Sequence, residues 1–477
     1  MDHPPRRSTE LVSMTATELL AGYSRGAFSP ADVLSAVLAR VDELEPTCNA
    51  FYVIEREQAG AAAAASTARW AAGGATRFLD GVPITLKENI ASVGTRVPSG
   101  TAALAAAAVS TVDGPVTVSM ADAGAVRLGK TVMPDYGMLS SGVSSLHGIT
   151  RSPWDPRWTV GGSSAGASAA AAARFGPIHI GSDIGGSIRL PATWTGLACL
   201  KPTFALVPVD PPYMGRTIGP LARTVDDVAI AMEAIARPDP YHRDYTLTEH
   251  PLDWAAVRAT PATDADVSGL RVGIHVDAGC GLATDTEVAA IVLAAGAVFE
   301  AAGAHVEPID PLICGEQLHL LDLFLRARSW LDLTRLDPAA RAAVLPYIRE
   351  WAAGAAGLSG SQVIEAYQGI QAMRASTVAA TCDYDLVLSP VAPVAAFPAH
   401  WHGPTNDTAT ALDHIAYAAP YNFSEQPAAT VNAGFTTDGR PVGLQLAGRR
   451  YDDARLLRAA RWFEQARGAA AEPSWPR

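Results

Sequence analysis

Three short segments of the sequence carry side chains that can act as nucleophiles or bases. Two adjacent serines, Ser163 and Ser164, lie in the glycine-rich stretch TVGGSSAGASAA, and Ser187 follows two glycines in GSDIGGSIRLPAT. Lys87 ends the stretch GVPITLK. A serine hydroxyl becomes a nucleophile when a base takes its proton, and burial can bring a lysine pKa from about 10.4 towards neutrality. These segments therefore pose the question of which serine attacks and which group is the base.

Lysine is scarce in this chain. Of 36 lysines and arginines, only Lys87, Lys130 and Lys201 are lysines. Arginine does not lose its proton in proteins, so a retained lysine is a candidate for a position at which proton loss is needed. Genomic arginine bias, which leaves a few lysines by chance, explains the same count.

The motif GSSAG fits the G-x-S-x-G nucleophile elbow, in which Ser164 would attack. Such an elbow follows a buried strand, however, and the preceding DPRWTV has no strand character. The same turn lies at a predicted helix start, where the free N–H groups can bind an anion. A purely structural role for the turn is a further alternative. It lacks the Lys-Ser/Thr pair that ends a P-loop, so nucleotide binding is not indicated.

A metal hydrolase is a further interpretation, because HWH places His400 and His402 on alternate residues. The pair lies in a proline-rich segment without an HExxH motif, which favours a solvated loop. We expect neither a metal nor an organic cofactor.

The second glycine-rich turn suggests an oxyanion site beside Ser187. Gly185 and Gly186 allow the backbone to curl so that successive N–H groups face one point, and Lys87 is a possible base for the neighbouring serine. In this interpretation Lys87 acts as a base by losing its proton, which lysine can do and arginine cannot.

The segments GVPITLKEN, TVGGSSAGASAAAAA and GSDIGGSIRLPAT, in this order, resemble the amidase signature family. GLACLKPT, GPLARTVDDVA and GRPVGLQLAGRRYDD are also similar to family segments. The resemblance extends from about residue 10 to 465.

The resemblance implies a Ser-cisSer-Lys triad. Ser187 would be the nucleophile, Lys87 the base, and Ser163, after a cis peptide bond, the relay between them. Ser164 and Arg189 would have supporting roles. The implied oxyanion hole consists of the N–H groups of Ile184, Gly185, Gly186 and Ser187.

The resemblance also suggests substrate contacts. Tyr136, Gly137 and Met138 are similar to the segment that lines the family's acyl pocket, although core packing explains an apolar Tyr or Met equally well. Substrate choice is expected to depend on about 205–220 and 310–370. Ile184 stands where threonine is frequent in the family, which favours hydrophobic acyl groups.

Helical and strand patterns alternate along the chain and indicate how these residues are positioned. TATE and SPAD predict two helix N-caps, and GVPITL, GAVRLG, PIHIGS and GLRVGIHV read as strands. VTVSMADAG, AGASAAAAARF and TEVAAIVLAAGAVFEAAG read as helices. The alternation predicts a single large layered α/β domain with a mixed, mostly parallel central sheet covered by helices on both faces.

Within that domain we expect four regions. They are N-terminal helices (1–75), a core with the triad (76–235), a helix-rich substrate cap (236–380) and a C-terminal part that completes the domain (381–477).

Composition excludes several classes of protein. The net charge is −12 without any lysine or arginine run, which argues against nucleic acid, and no apolar run approaches the roughly eighteen residues of a membrane span. Five scattered cysteines suggest neither disulfides nor a zinc site, and MDHPPRRSTELVSM lacks the apolar core of a secretory signal. A cytoplasmic protein, monomeric or homodimeric, is expected.

The expected activity is hydrolysis of C–N bonds in small amides or anilides, with carbamates (urethanes) and esters as extensions. The alternative is an amidotransferase-type subunit that releases ammonia within a complex.

Overall fold

The computed structural model describes residues 8–73 and 77–475. Its helices are α1 (Ser8–Leu11), α2 (Ala16–Ser24), α3 (Pro30–Cys48), α4 (Arg56–Ala71), α5 (Pro115–Asp122), α6 (Ala165–Ala172), α7 (Arg189–Thr195), α8 (Val225–Ile235), α9 (Trp254–Ala259), α10 (Thr286–Ala301), α11 (Gly315–Thr334), α12 (Pro338–Ala343), α13 (Pro346–Ala353), α14 (Gly360–Thr381), α15 (Ala419–Phe423) and α16 (Asp453–Ala466). Its strands are β1 (Phe51–Ile54), β2 (Pro83–Lys87), β3 (Val126–Thr131), β4 (Val143–Ser144), β5 (Gly148–Ile149), β6 (Ile178–Asp183), β7 (Ala198–Lys201), β8 (Thr217–Ala222), β9 (Arg271–Ile274), β10 (His305–Pro308), β11 (Leu386–Pro390), β12 (Ala428–Phe435) and β13 (Pro441–Ala447).

An 11-stranded sheet organises the molecule, in the order β1-β3-β2-β6-β8-β7-β12-β13-β11-β9-β10. Strand β2 pairs in parallel with β3 and β6, and β9 pairs in parallel with β10 and β11. Antiparallel pairing through β8, β7, β12 and β13 joins these two parallel groups, and β1 adds an antiparallel edge. The predicted single α/β domain with a mixed central sheet is confirmed.

Helices cover both faces of the sheet. In β7, Ala198 and Leu200 belong to the core cluster that includes α8 and α16, whereas Cys199 between them packs with residues of α6 and α7. Successive strand residues point to opposite faces, so apolar layers lie above and below the same strand.

The predicted helix starts are present. Thr15 and Glu18 form a capping box at α2, and Ser29 and Asp32 form one at α3, where Pro30 occupies the first turn. Within the described residues, no helix combines the length and apolar character needed to cross a bilayer.

Two neighbouring parallel strands position the candidate chemistry. Lys87 is the last residue of β2 and Asp183 is the last residue of β6. The carboxyl ends of parallel strands meet at one edge of a sheet, so the side chains that follow them converge there. Helices α6 and α7 begin near this edge, directly after Ser164 and Ile188.

Candidate active site

Lys87 contacts both serines of the first glycine-rich turn. Its side chain is fully buried, and its Nζ lies 2.8 Å from Ser163 Oγ and 3.1 Å from Ser164 Oγ. A third contact, of 3.5 Å, reaches the carbonyl oxygen of Ser182. The amine is therefore within hydrogen-bonding distance of the predicted relay serine.

Burial is the main cause that lowers the pKa of Lys87 to about 7, and the positive charge of Arg216 lowers it further. Burial also lowers the pKa of Lys130 and Lys201 to about 7. Their amines bind elsewhere, Lys130 at Ser92 Oγ (3.2 Å) and Lys201 at its neighbour's carbonyl (2.7 Å). Lys87 is thus distinguished by its contacts with the two serines.

Ser163 follows a cis peptide bond from Gly162, in agreement with the expectation from the resemblance. Its side chain is buried, and Gly137 approaches it so closely that a Cβ on Gly137 would lie 3.2 Å from Ser163 Oγ. Gly137 has φ = +69°, a conformation that favours glycine. The small residue leaves room for the serine hydroxyl.

Ser187 lies in the turn between β6 and α7, and it lines the same cavity as Ser163. Its carbonyl oxygen accepts a hydrogen bond of 3.1 Å from the Ser164 N–H, which ties the two glycine-rich turns together. The structure therefore brings all three residues of the predicted triad to one region.

The predicted oxyanion donors differ in how they are used. The N–H of Gly186 donates to Asp183 Oδ1 at 2.8 Å. Among the residues that the structure describes, the N–H groups of Ile184, Gly185 and Ser187 have no protein acceptor. The prediction counted four equivalent donors, but the short Asp183 side chain, which caps this turn, already engages one of them.

Ser164 has a different environment from Ser163. It is fully buried, and its hydroxyl lies 3.2 Å from the carbonyl oxygen of Ser182 and contacts Lys87. An elbow nucleophile must be exposed to substrate, and this hydroxyl is enclosed by the protein. The arrangement suits a residue that holds Lys87 in place.

Arg189 forms a buried network that supports the Ser187 turn. Its guanidinium lies 3.1 Å from Asp183, 2.7 Å from Asn422 Oδ1 and 2.8 Å from Gln445 Oε1, and it also donates to the carbonyl of Ala418. Arg189 also holds the pKa of Asp183 below its usual range. All of these contacts are internal, which is consistent with a supporting role.

The cavity in front of Ser163 and Ser187 has a volume of about 560 Å³. Tyr136 and Gly137 line it, as expected, but Met138 does not; it packs against the neighbouring apolar core instead. The two segments expected to govern substrate choice both contribute to the wall. Their contributions are Pro211, Tyr213, Arg216, Arg328, Asp332 and Arg335.

The sequence did not single out the charged residues of this wall. Arg216 and Arg328 are two of many arginines in the chain, and only the fold brings them together. Asn89, which follows Lys87 closely and donates to Ser182 Oγ at 3.0 Å, was also not predicted.

The HWH pair lies away from this cavity. His400 is exposed, and His402 stacks on Tyr347 with 4.5 Å between ring centroids while its Nδ1 lies 2.9 Å from Asn406 Oδ1. Across residues 8–73 and 77–475, no group of three or more His, Cys, Asp or Glu side chains is placed to hold a metal.

Comparison with known proteins gives consistent results. A family model described as Amidase matches residues 32–457. An acylamidase from Rhodococcus erythropolis is 34% identical over 466 residues, which is 95% of each chain. A glutamyl-tRNA(Gln) amidotransferase subunit from a Picosynechococcus species is 32% identical, over 92% of this chain and 95% of its own.

Solved structures agree with these similarities. A bacterial aryl acylamidase that belongs to the amidase signature enzymes superposes with a TM-score of 0.86 at 26% identity, over 95% of this chain and 96% of its own. The peptide amidase from Stenotrophomonas maltophilia has a TM-score of 0.80 at 25% identity, over 97% and 99% of the two chains.

Proposed function

This chain belongs to the amidase signature family and is an amidase-type hydrolase, and from that premise we propose that it hydrolyses C–N bonds through an acyl-enzyme on Ser187. The observation that carries the proposal is the 2.8 Å contact between Lys87 Nζ and Ser163 Oγ, at a cavity that Ser187 also lines. The substrates are small-molecule amides or anilides, with carbamates and esters as extensions of the same acyl chemistry.

The proposed reaction starts with neutral Lys87. Lys87 takes the proton of Ser163, which takes the proton of Ser187 as the Ser187 oxygen attacks the acyl carbon. The resulting oxyanion binds the free N–H groups of Ile184, Gly185 and Ser187.

Ser163 then returns a proton to the departing nitrogen, and the C–N bond breaks to leave an ester on Ser187. Water adds to that ester by the same proton transfers and releases the acid. Protonation of the leaving nitrogen is important because an unprotonated amine leaves poorly.

Hydrolysis of a chromogenic 4-nitroanilide by the purified chain tests this proposal. Steady-state release of nitroaniline is expected. In quenched samples, a peptide containing Ser187 should gain the mass of the acyl group less that of the hydrogen it replaces. Ser187→Ala is the blank. Turnover that persists in Ser187→Ala contradicts the assignment of the nucleophile.

Replacing the three serines in turn separates the proposed triad from the elbow hypothesis. We expect Ser163→Ala and Ser187→Ala to lose about 100- to 10,000-fold in kcat, and Ser164→Ala to lose less, because it only holds Lys87. Initial rates of nitroanilide hydrolysis by the three folded variants provide the comparison. The opposite order, with Ser164→Ala the most damaging, supports the elbow.

An amidotransferase-type subunit is the second candidate, supported by the relative of 32% identity that carries this name. In that case the same serine would release ammonia from an amide donor only within a complex. Amide hydrolysis by the isolated chain favours the free amidase, whereas activity that requires a partner protein favours the second candidate.

Further proposals concern the setting of the enzyme. We propose a cytoplasmic enzyme that acts as a monomer or homodimer without nucleic acid or membrane partners. The region 236–380 acts as a substrate cap over the core, supported by the position of Arg328 and Asp332 at the cavity. Light scattering of the purified protein tests the oligomeric state.

A further inference from the structure

One part of the cavity wall is rich in positive charge. Arg216 precedes β8, Arg328 lies on α11, and Arg335 follows the end of α11. Asp332 is the one carboxylate that this segment of α11 adds to the cavity lining. The rest of the lining near Ser187 is largely neutral and includes the apolar side chains of Val97, Met133 and Ile184.

Among the described residues, none of the three guanidinium groups has a carboxylate partner. In the part of the chain that the structure describes, no carboxylate oxygen lies within 4.0 Å of Arg216, Arg328 or Arg335. The side chain of Arg216 donates a long hydrogen bond, of 3.5 Å, from Nη1 to the carbonyl oxygen of Pro211. Arg328 lies over the ring of Tyr213, 4.7 Å from its centroid.

Arg216 is the most enclosed of the three. Burial lowers its pKa to about 10, and the nearby positive charge of Arg328 adds to this effect. Two cations that repel each other in a partly desolvated wall destabilise the free protein unless an anion joins them. The arrangement therefore has the electrostatics of an anion-binding site.

The other charges at the cavity do not neutralise this pair. Asp183 is engaged by Arg189 at 3.1 Å, and Lys87 loses its own charge near neutral pH. Of the carboxylates that line the cavity, Asp332 remains, and it makes no ion pair with a described residue. Asp210 beside the cavity also acts on Arg216, but its carboxylate lies 4.0 Å from Arg243. The positive charge of the three arginines therefore exceeds the negative charge available in this part of the cavity wall.

A second observation also indicates a ligand at this place. The hydroxyl of Tyr136 is buried and has no hydrogen-bond partner in the described residues, although its side chain lines the same cavity. A buried phenol normally has a partner, because leaving it unpaired is unfavourable. A substrate oxygen would provide one.

We propose that Arg216 and Arg328 bind a carboxylate of the substrate, so that this enzyme prefers amides which carry a carboxylate a few bonds from the scissile C–N bond. The proposal rests on the proposed function for the reaction at Ser187. Arginine suits this task because its planar guanidinium binds both oxygens of a carboxylate. Arg335, which is exposed, attracts anions towards the cavity.

The anion site lies close to the reacting groups. Arg216 lines the same cavity as Ser163 and Ser187, so a carboxylate held by Arg216 would share that cavity with the acyl carbon. The preference for hydrophobic acyl groups that Ile184 suggested is therefore incomplete. Val97, Met133 and Ile184 accommodate the hydrocarbon part of a substrate whose other end is charged.

Matched substrate pairs test the proposal. On the acyl side, the 4-nitroanilides of succinic and butyric acid have the same chain length, and only the first has a free carboxylate. On the amine side, the butyric amide of 3-aminobenzoate is compared with butyric anilide. For at least one pair we expect the charged substrate to have a kcat/KM at least about 10-fold higher, mainly through KM.

Variants then identify the residues responsible. Arg216→Gln and Arg328→Gln are expected to lower the ratio of kcat/KM for the favoured charged substrate to kcat/KM for its neutral counterpart about 10- to 100-fold. An effect of Arg216 through Lys87 changes both substrates alike, so the ratio of the two isolates the carboxylate. Arg237→Gln, at an exposed arginine after α8, is the control.

Binding to Ser187→Ala separates this proposal from the proposed function. Calorimetry with the same charged and neutral amides measures recognition without turnover, and the Arg328→Gln substitution in that background is expected to weaken the charged ligand alone. Binding without hydrolysis by the wild type supports the carboxylate site and contradicts the proposed function. Equal affinity and equal kcat/KM within both pairs overturn the carboxylate site and leave the proposed function standing.

Discussion

Lys87 must be neutral when the proposed reaction begins, because it receives the proton that leaves Ser163. The pKa of Lys87 is lowered to about 7, so its neutral fraction grows as the pH rises through that value. We therefore expect kcat/KM for a neutral anilide to rise with pH in a single-proton step near 7 and to level off above it. A rate profile that is constant across this range contradicts the role of Lys87 as the base.

The same role predicts the effect of Lys87→Arg. Arginine keeps a positive charge but does not release its proton, so the folded variant is expected to lose about 100- to 10,000-fold in kcat. Lys130→Arg is a matched control, because Lys130 is equally buried and its pKa is also lowered to about 7. Melting temperatures of both variants confirm that they are folded before rates are compared. Substantial turnover by Lys87→Arg removes it from the mechanism.

Gly137 gives a steric test of the position of Ser163. A Cβ at Gly137 would lie 2.9 Å from Met133 Cε and 3.2 Å from Ser163 Oγ, so Gly137→Ala must displace one of these side chains. We expect kcat/KM to fall about 10- to 100-fold, as misplaced catalytic groups do. The measurement is anilide hydrolysis by the folded variant.

Gly26→Ala is the control for the backbone effect alone. Gly26 has φ = +63°, close to the +69° of Gly137, and a Cβ there would meet no atom within 4 Å. Both variants bear the cost of a left-handed conformation, about 1 kcal/mol, but only Gly137→Ala approaches the relay serine. Equal activity of the two variants would show that the Gly137 contact is unimportant.

At the scale of secondary-structure elements, the alternation of strand and helix patterns in the sequence predicted the strand at the candidate base and the strand that precedes the Ser187 turn. The four predicted strands correspond to β2, β3, β6 and β9, all of which pair in parallel. Strand β8 was not predicted, because Gly219 and Pro220 lie within TIGPLA and both are unusual in a central strand. Its antiparallel pairing with β6 depends on neighbours that are distant in sequence.

The site could also be predicted only in part, because some of its residues come together through contacts between segments that are distant in sequence. The residues Lys87, Ser163 and Ser187 lie in segments distinctive enough to be recognised. Lys87 lies at the end of one predicted strand, and Ser187 lies in the turn that follows another. Arg216 and Arg328 have no distinctive local pattern, and the cavity they share forms only when α11 packs beside the turn before β8. Spatial convergence of this kind is set by tertiary packing.

Helix α8 contains a carboxyl group that makes stability depend on pH. Asp227 is fully buried near the start of the helix, where its Oδ1 accepts the Ala16 N–H at 2.7 Å and its Oδ2 has no described partner. Burial raises the pKa of Asp227 from 3.8 to about 7. The folded state therefore binds more protons than the unfolded state between these values, and the free energy of unfolding falls as the pH rises through them.

Asp227→Asn removes this titration while keeping an oxygen that can accept the Ala16 N–H. We expect the free energy of unfolding of the variant to decline less between pH values of about 4 and 7, by on the order of 1–3 kcal/mol. Urea unfolding at a series of pH values measures the difference. Asp122→Asn, at an exposed carboxyl group of α5, is the control. If the free energy of unfolding of Asp227→Asn changes with pH in the same way as that of the wild type, the raised pKa of Asp227 is contradicted.

At the scale of the whole molecule, the predicted regions of the chain share one core. A single apolar cluster combines Ala16 of α2, Ile84 of β2, Ile230 of α8, Val272 of β9 and Phe463 of α16. Packing of this extent makes separate unfolding of the N-terminal and C-terminal parts unfavourable, because either part would expose apolar surface of the other.

Arg189 connects the same distant parts through polar contacts. Its fully buried guanidinium binds Asp183 at the end of β6 and reaches Asn422 in α15 and Gln445 in β13. Arg189→Met leaves Asp183 buried without its counter-charge, which is expected to lower the free energy of unfolding by about 3–5 kcal/mol. The loss should become smaller as the pH falls, because Asp183 then takes up a proton.

Two measurements connect this prediction to the cooperativity of the whole chain. Urea unfolding followed by tryptophan fluorescence and by circular dichroism is expected to give one coincident transition in both wild type and Arg189→Met. Hydrogen exchange is expected to accelerate together in β6 and β13, which belong to different predicted regions of the sequence. If Arg189→Met does not fold, the double variant Asp183→Asn/Arg189→Met, which has no unpaired charge, allows the comparison. Two separated transitions, or faster exchange in only one of these strands, would show that the two parts unfold independently and that Arg189 does not couple them.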